Sequence, residues 1–167
     1  TLQGCEDSVE TFKYNISWTM DNDSPGTNSV FMAASDSDPD ELLLAVDMNS
    51  ITNGPVHGVY FDLVFRDEVL VFDEIRSGQA LETAGSVVYQ AALDPQDPGR
   101  IIIGVSLLQD RVVENADGVL VFVRFLPLRS GTCPVSFENA RIMTAENNGT
   151  NPVTGISWYG GYATVLE

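Results

Sequence analysis

A two-residue hydrophobic period governs the segment 56–139 and limits what the chain can fold into. Gly58-Val-Tyr-Phe-Asp-Leu-Val-Phe65 leads to Val69-Leu70, and Gly99-Arg-Ile-Ile-Ile-Gly-Val-Ser106 and Asp117-Gly-Val-Leu-Val-Phe-Val-Arg-Phe125 follow. Successive side chains of a strand point to opposite faces, so each segment has one face for a core and one for display. The same spacing predicts strands at 29–34, 41–49, 57–65, 69–75, 85–93, 100–108, 118–127, 133–138, 140–145 and 158–166. Turn signals separate them: Asp36-Ser-Asp-Pro-Asp40, Asn53-Gly-Pro55, Asp94-Pro-Gln-Asp-Pro-Gly99, Ser130-Gly131 and Asn147-Asn-Gly149. No segment sustains a helical period, and 77–83 offers at most a single turn. Many short strands with Gly, Pro and Asp turns specify an all-β sandwich or barrel.

The chain is long enough, at 167 residues, for one domain with a real core, and its 44% hydrophobic content is that of a folded protein. Residues 1–28 read as a lead-in or tether with a candidate edge strand in 8–20, where Phe12, Tyr14, Ile16 and Trp18 alternate, followed by the turn-rich Asp21-Asn-Asp-Ser-Pro-Gly-Thr-Asn28. Residues 29–167 then form the domain. No apolar run approaches the roughly 20 residues of a membrane-spanning helix. A net charge of −16, with Lys13 as the one lysine, opposes any contact with phosphate backbones and argues against nucleic acid as a partner.

Alternation assigns faces within the train. Val59, Phe61, Leu63 and Phe65 share the core side of their strand, which leaves Tyr60 and Asp62 outward. The strand around 100–108 is apolar on both sides, with Ile102, Gly104, Ser106 and Leu108 opposite Ile101, Ile103, Val105 and Leu107. Such a strand is either covered on both faces or exposes an interaction patch.

Two cysteines are too few for a disulfide framework or a zinc site. Leu2-Gln3-Gly4-Cys5 is similar to a bacterial lipobox, with a small residue before the cysteine and leucine three before it. That context favours lipidation of Cys5, which would anchor the domain to a membrane. A Cys5–Cys133 disulfide or two free thiols are the other readings, and lipidation and the disulfide exclude each other.

The segments also resemble, in order and spacing, a cohesin module, the β-sandwich receptor for dockerins. A Phe-x-Leu-x-Phe pattern followed by Val-Leu is matched by Phe61–Phe65 and Val69-Leu70. A Gly-Arg-Ile strand is matched by Gly99–Ile103, and an Asp-Gly-Val-Leu strand by Asp117–Phe125. The closing pattern is matched by Gly131-Thr-Cys-Pro-Val-Ser-Phe-Glu-Asn139, with a last strand at Gly161–Val165. The resemblance spans about 30–165. It implies a jelly-roll sandwich of about nine strands, with no catalytic role and no cofactor. Cohesins bind their partners with a sheet face that includes the strands resembling 57–65, 85–93 and 100–108. On those strands alternation selects Tyr60, Asp62, Val88, Gln90, Ile102 and Gly104 as the partner-binding residues. With Val69-Leu70 setting the register, many cellulosomal cohesins carry a polar Asn-x-Asp pair where this chain has Gly58-Val-Tyr60, which implies a divergent, non-cellulosomal member with a different or lost partner. An exported protein, extracellular or in the cell envelope, is the localisation this implies.

Other chemistry is thinly supported. His57 is the only histidine and lacks a nucleophile elbow. Asp36-Ser-Asp38-Pro-Asp40 opens like a calcium loop, but Glu41 occupies the position that an EF-hand fills with glycine, so no metal site is assigned. Jelly rolls also serve as carbohydrate-binding modules in polysaccharide breakdown, and a sugar platform would need exposed rings in a strip. The candidate rings are Trp18, Tyr60, Tyr89, Trp158, Tyr159 and Tyr162, and alternation turns Tyr89 toward the core with Val87 and Ala91.

Overall fold

The computed structural model describes residues 13–35, 38–145 and 151–167. Twelve strands follow one another: β1 (Asn15–Met20), β2 (Ser29–Ala34), β3 (Leu42–Ile51), β4 (Gly58–Val64), β5 (Leu70–Ser77), β6 (Val87–Asp94), β7 (Asp97–Leu107), β8 (Ala116–Pro127), β9 (Gly131–Met143), β10 (Pro152–Val153), β11 (Ser157–Tyr159) and β12 (Gly161–Leu166). One 3-10 turn, Glu82–Ala84, overlaps the end of the segment 77–83 where the sequence offered a single helical turn. The strands build two sheets, ordered β1-β12-β9-β4-β7-β6, with β10 on β9, and β11-β2-β3-β8-β5. The chain crosses repeatedly between the two layers, and the result is the two-sheet jelly-roll sandwich expected.

The core lies between the layers because the strand period of two supplies it from both sides. Val59, Phe61, Leu63, Ile101, Ile103, Val105, Cys133, Val135 and Val165 face it from the first sheet, and Val30, Met32, Leu44, Val46, Val121, Val123 and Phe125 from the second. Aromatic rings bridge the layers. Phe137 of β9 lies 5.3 Å from Phe61 of β4 and 5.3 Å from Trp158 of β11, each edge-on. A second group joins Phe65, Phe125 and Phe72, with centroids 5.2 and 6.3 Å apart.

Three expectations about strands are corrected. The count is twelve rather than about nine, because short pairings at β10 and β11 and the lead-in strand β1 add to the main set. The segments 133–138 and 140–145 are one strand, β9, carrying a bulge. Tyr60 and Asp62, two apart on β4, face Arg141 and Glu138, three apart on β9, and Asn139 in the bulge has φ 49°. The segment 158–166 is two strands in different sheets, β11 beside β2 and β12 between β1 and β9. Gly160 permits the crossing, since a Cβ there would collide with the Val135 carbonyl oxygen.

Within the lead-in, Asn15–Met20 pairs antiparallel with β12, and Trp18 Nε1–H donates to the Met32 carbonyl at 3.0 Å. Cys133 is buried and accepts the Arg66 backbone N–H at 3.2 Å, and burial pushes its thiol up. Cys5, Phe12 and Asp36 lie outside the described residues, and with them the lipobox, the disulfide and the first two residues of the acidic loop. Of that loop, Asp38 Oδ1 accepts the Asp40 backbone N–H at 2.9 Å, an ordinary turn bond.

The outer face of the second sheet is acidic. Arg124 is held by Glu41 and Asp73, while Asp47, partly desolvated on β3 and near Asp117, has its carboxyl pushed up, burial being the larger cause. A raised carboxylate pKa means that ionisation costs the folded state more than the unfolded chain. Asp47→Asn therefore stabilises the domain at neutral pH, by no more than about 0.5 kcal/mol after solvent screening. The gain shrinks as pH falls through the raised pKa toward the usual aspartate value. Thermal melts of both proteins between neutral and acid pH check the convergence.

Candidate functional site

The register of β6, β7, β4 and β9 sets side chains in rows across the outer face of the first sheet. One row runs Gln90, Gly104, Tyr60, Arg141, and the next runs Ala92, Ile102, Asp62, Glu138. Val88 stands in a third row with Ser106 and Gly58. All six residues selected from sequence thus point to one side of one sheet. Five of them, Tyr60, Asp62, Gln90, Ile102 and Gly104, line a single open depression of about 580 Å³, together with Ala92, Asn139 and Arg141 among others. Val88 lies outside it and is 38% exposed.

Tyr60 does not stand up from the sheet. A Cβ built at Gly104 would come within 3.1 Å of its ring, and one at Gly58 within 2.9 Å of its hydroxyl. The two missing side chains, one across on β7 and one two residues back on β4, leave room for the ring to lie along the sheet. Arg141 from β9 lies over that ring, its guanidinium carbon 5.1 Å from the centroid. Beside this pair Ile102 is 49% exposed, although it belongs to a strand paired on both sides.

The polar side of the face is a closed network. Arg100 Nη1 donates to Asp62 Oδ2 at 2.8 Å, Nη2 to Glu138 Oε2 at 2.6 Å, and Nε to Asp97 Oδ2 at 3.4 Å. Asn139 Nδ2 also donates to Asp62 Oδ2, at 2.9 Å. Glu138 first, then Asp62, hold the Arg100 proton even more firmly than an ordinary guanidinium. The sequence places Asp62 outward among the partner-binding residues. Its side chain is only 14% exposed, and its Oδ2 is already engaged twice.

Four contributors were missed by the reading of the sequence. Arg100 was within reach of it, since it lies two residues before Ile102 and alternation puts both on one face. Glu138, Asn139 and Arg141 were not, because the bulge interrupts the period in β9 and pairing of that strand with β4 is a tertiary fact.

His57, considered for catalysis, serves as a loop tie: its Nδ1 lies 2.7 Å from the Arg111 carbonyl. Among the described residues no three His, Cys, Asp or Glu side chains are grouped to hold a metal. The aromatic candidates do not form a strip. Trp18, Tyr89 and Trp158 pack against the core, and Tyr162 is separated from Tyr60 by β9, opposite Pro134 rather than Arg141.

Comparison with solved structures places the architecture. A seventh type I cohesin of ScaB from Pseudobacteroides cellulosolvens superposes with a TM-score of 0.62 at 12% identity, over 80% of this chain and 88% of that one. The chain has the cohesin fold. A type II cohesin from Acetivibrio cellulolyticus, in complex with X-dockerin, gives a TM-score of 0.60 at 17% identity over 78% of this chain and 93% of the other. A non-cellulosomal cohesin from the hyperthermophilic archaeon Archaeoglobus fulgidus gives 0.54 at 13% identity over 90% and 89%. No family model and no curated protein matches the sequence. The cohesin-like architecture therefore rests on shape, and residue roles in this domain rest on its own geometry.

Proposed function

We propose that this cohesin-like domain is a noncatalytic interaction module that binds a protein partner, dockerin-like or other, through the outer face of β6-β7-β4-β9. The observation that carries the reading is the depression floored by Gly104, with half-exposed Ile102 beside a pinned Tyr60. An apolar centre with polar groups at its margin is the arrangement by which protein interfaces gain affinity and orientation. The two glycines and the Arg100 network pre-set the surface, so little ordering remains to be done on binding. Solved cohesins of the same fold occur in complexes with dockerins, which supports a protein as the partner class. The carbohydrate reading has less support, since the exposed rings are scattered over different strands.

Gly104→Leu tests the face. A side chain at 104 fills the depression and pushes the Tyr60 ring aside by a few tenths of an ångström or more, while a strand position in extended backbone accepts it. On an array of immobilised dockerin modules, and in pull-downs from the native organism, the wild-type domain captures a partner that the variant captures about ten-fold less well. Equal capture by the two proteins would remove this face from consideration.

The same reading puts the module outside the cell, tethered through a lipid on Cys5. The support is the lipobox-like Leu2-Gln3-Gly4-Cys5 and the export that a cohesin role entails. Mass spectrometry of the native protein is expected to find an N-terminal diacylglyceryl-cysteine at Cys5. An unmodified thiol there, or a bridge to Cys133, would end the anchoring proposal and leave the interaction reading intact.

A further inference from the structure

The charge of the proposed face is not what the whole chain suggests. The protein carries −16, yet the one charged side chain on the depression without an opposite charge beside it is a cation. Asp62 is paired with Arg100, a single cation that it shares with Glu138 and Asp97. Elsewhere Arg66, Arg76 and Arg124 each hold at least one carboxylate, while Arg111 donates to the Ala84 carbonyl and forms no ion pair among the described residues, nor does Arg129. Arg141 holds none among the described residues. Its Nη1 donates to the Asn139 carbonyl at 3.2 Å, and its plane is steadied by Tyr60. The rest of its N–H groups have no acceptor among the described residues, in an exposed side chain at the edge of the depression.

A guanidinium fixed over an aromatic ring presents a planar fork of donors with little left to order, which suits a carboxylate better than any neutral group. In a chain with 24 acidic and 8 basic residues, Arg141 is set apart from Arg111 and Arg129, which also lack a carboxylate among the described residues, by its place over Tyr60 beside an apolar hollow, where a partner that covers the face would have to supply the anion. We infer that Arg141 recognises an Asp or Glu side chain of the partner, set next to an aliphatic side chain that enters the hollow over Gly104 between Gln90 and Ile102. The inference rests on the proposed use of this face and adds the chemistry of the occupant. The surface around that carboxylate must be neutral or basic, because the overall charge of the domain repels an acidic partner.

The test is a selection. A yeast-displayed library of a two-helix module with randomised surface positions is sorted against the full chain, then rescreened with Arg141→Gln, Arg141→Lys and Ile102→Asp, each checked to be fully folded, by a cooperative melt, at the temperature of the screen. Clones retained by the wild type are expected to be enriched in Asp or Glu beside Leu, Ile or Val. They are expected to lose about ten-fold in affinity for Arg141→Gln and to recover part of it with Arg141→Lys. Enrichment of Lys or Arg, or indifference to Arg141→Gln among clones that Ile102→Asp abolishes, overturns the carboxylate and leaves the face standing. Clones indifferent to both substitutions, or a library that yields no binder, overturn the face itself and the inference with it.

Discussion

Ile102→Asp lowers affinity for the captured partner by about 30-fold or more while the domain stays folded. The side chain is 49% exposed on the outer face of the sheet, so its removal opens no cavity. What it changes is the centre of the row Ala92, Ile102, Asp62, Glu138. A carboxylate there must be desolvated by any partner that covers the hollow, and it adds to three carboxylates already sharing Arg100. The loss of a β-branched residue from a strand lowers the melting temperature by about 3 °C at most. Titration calorimetry with the partner and a thermal melt of the free protein separate the two effects. Undiminished affinity in a folded variant would show that the face does not bind.

Phe61→Ala acts from beneath the same surface. Phe61 is fully buried, neighbours Tyr60 and Asp62 along β4, and meets Phe137 at 5.3 Å and Trp158 at 6.4 Å. Deleting the ring removes its burial and leaves a cavity between a strand of each sheet. The expected cost is about 4 kcal/mol, seen as a melting temperature lowered by about 10 °C. Phe61→Leu, which keeps most of the volume, is expected to lose only about 1.5 kcal/mol. Denaturant unfolding of both variants checks the ratio. Because β4 carries Tyr60 and Asp62 on its other side, the Ala variant also weakens partner capture, whereas Ile102→Asp weakens capture with little loss of stability.

How much of this could be read from the residues depends on whether the information was local. The period of two is local, so the outward placing of Tyr60, Asp62, Val88, Gln90, Ile102 and Gly104 followed from their own strands. The core side of β4 followed in the same way. Three features were not local. Asn139 at positive φ absorbs one residue in β9 and resets its alternation, which hid Arg141. Asp62 is consumed by Arg100 and Asn139, partners 38 and 77 residues away. The change of sheet at Gly160 depends on how closely that residue passes the backbone of β9, a distance no hydrophobic pattern records. Sequence gave the faces of strands; only assembly showed which groups on a face were already spoken for.

The pairing of β1 with β12 carries a mechanical consequence. Asn15 lies opposite Leu166 and Met20 opposite Gly161, so the outward ends of the two strands sit side by side. Tension applied across those ends does not shear the strands past one another, with every bond resisting together. It peels them apart one pair at a time, from Asn15 and Leu166 inward. Such a joint yields at low force and in steps, and once β12 is peeled away the edge of β9 is bared. A module pulled through both ends would feel load at the flank of its sheet before the rows of β4 and β7 were disturbed.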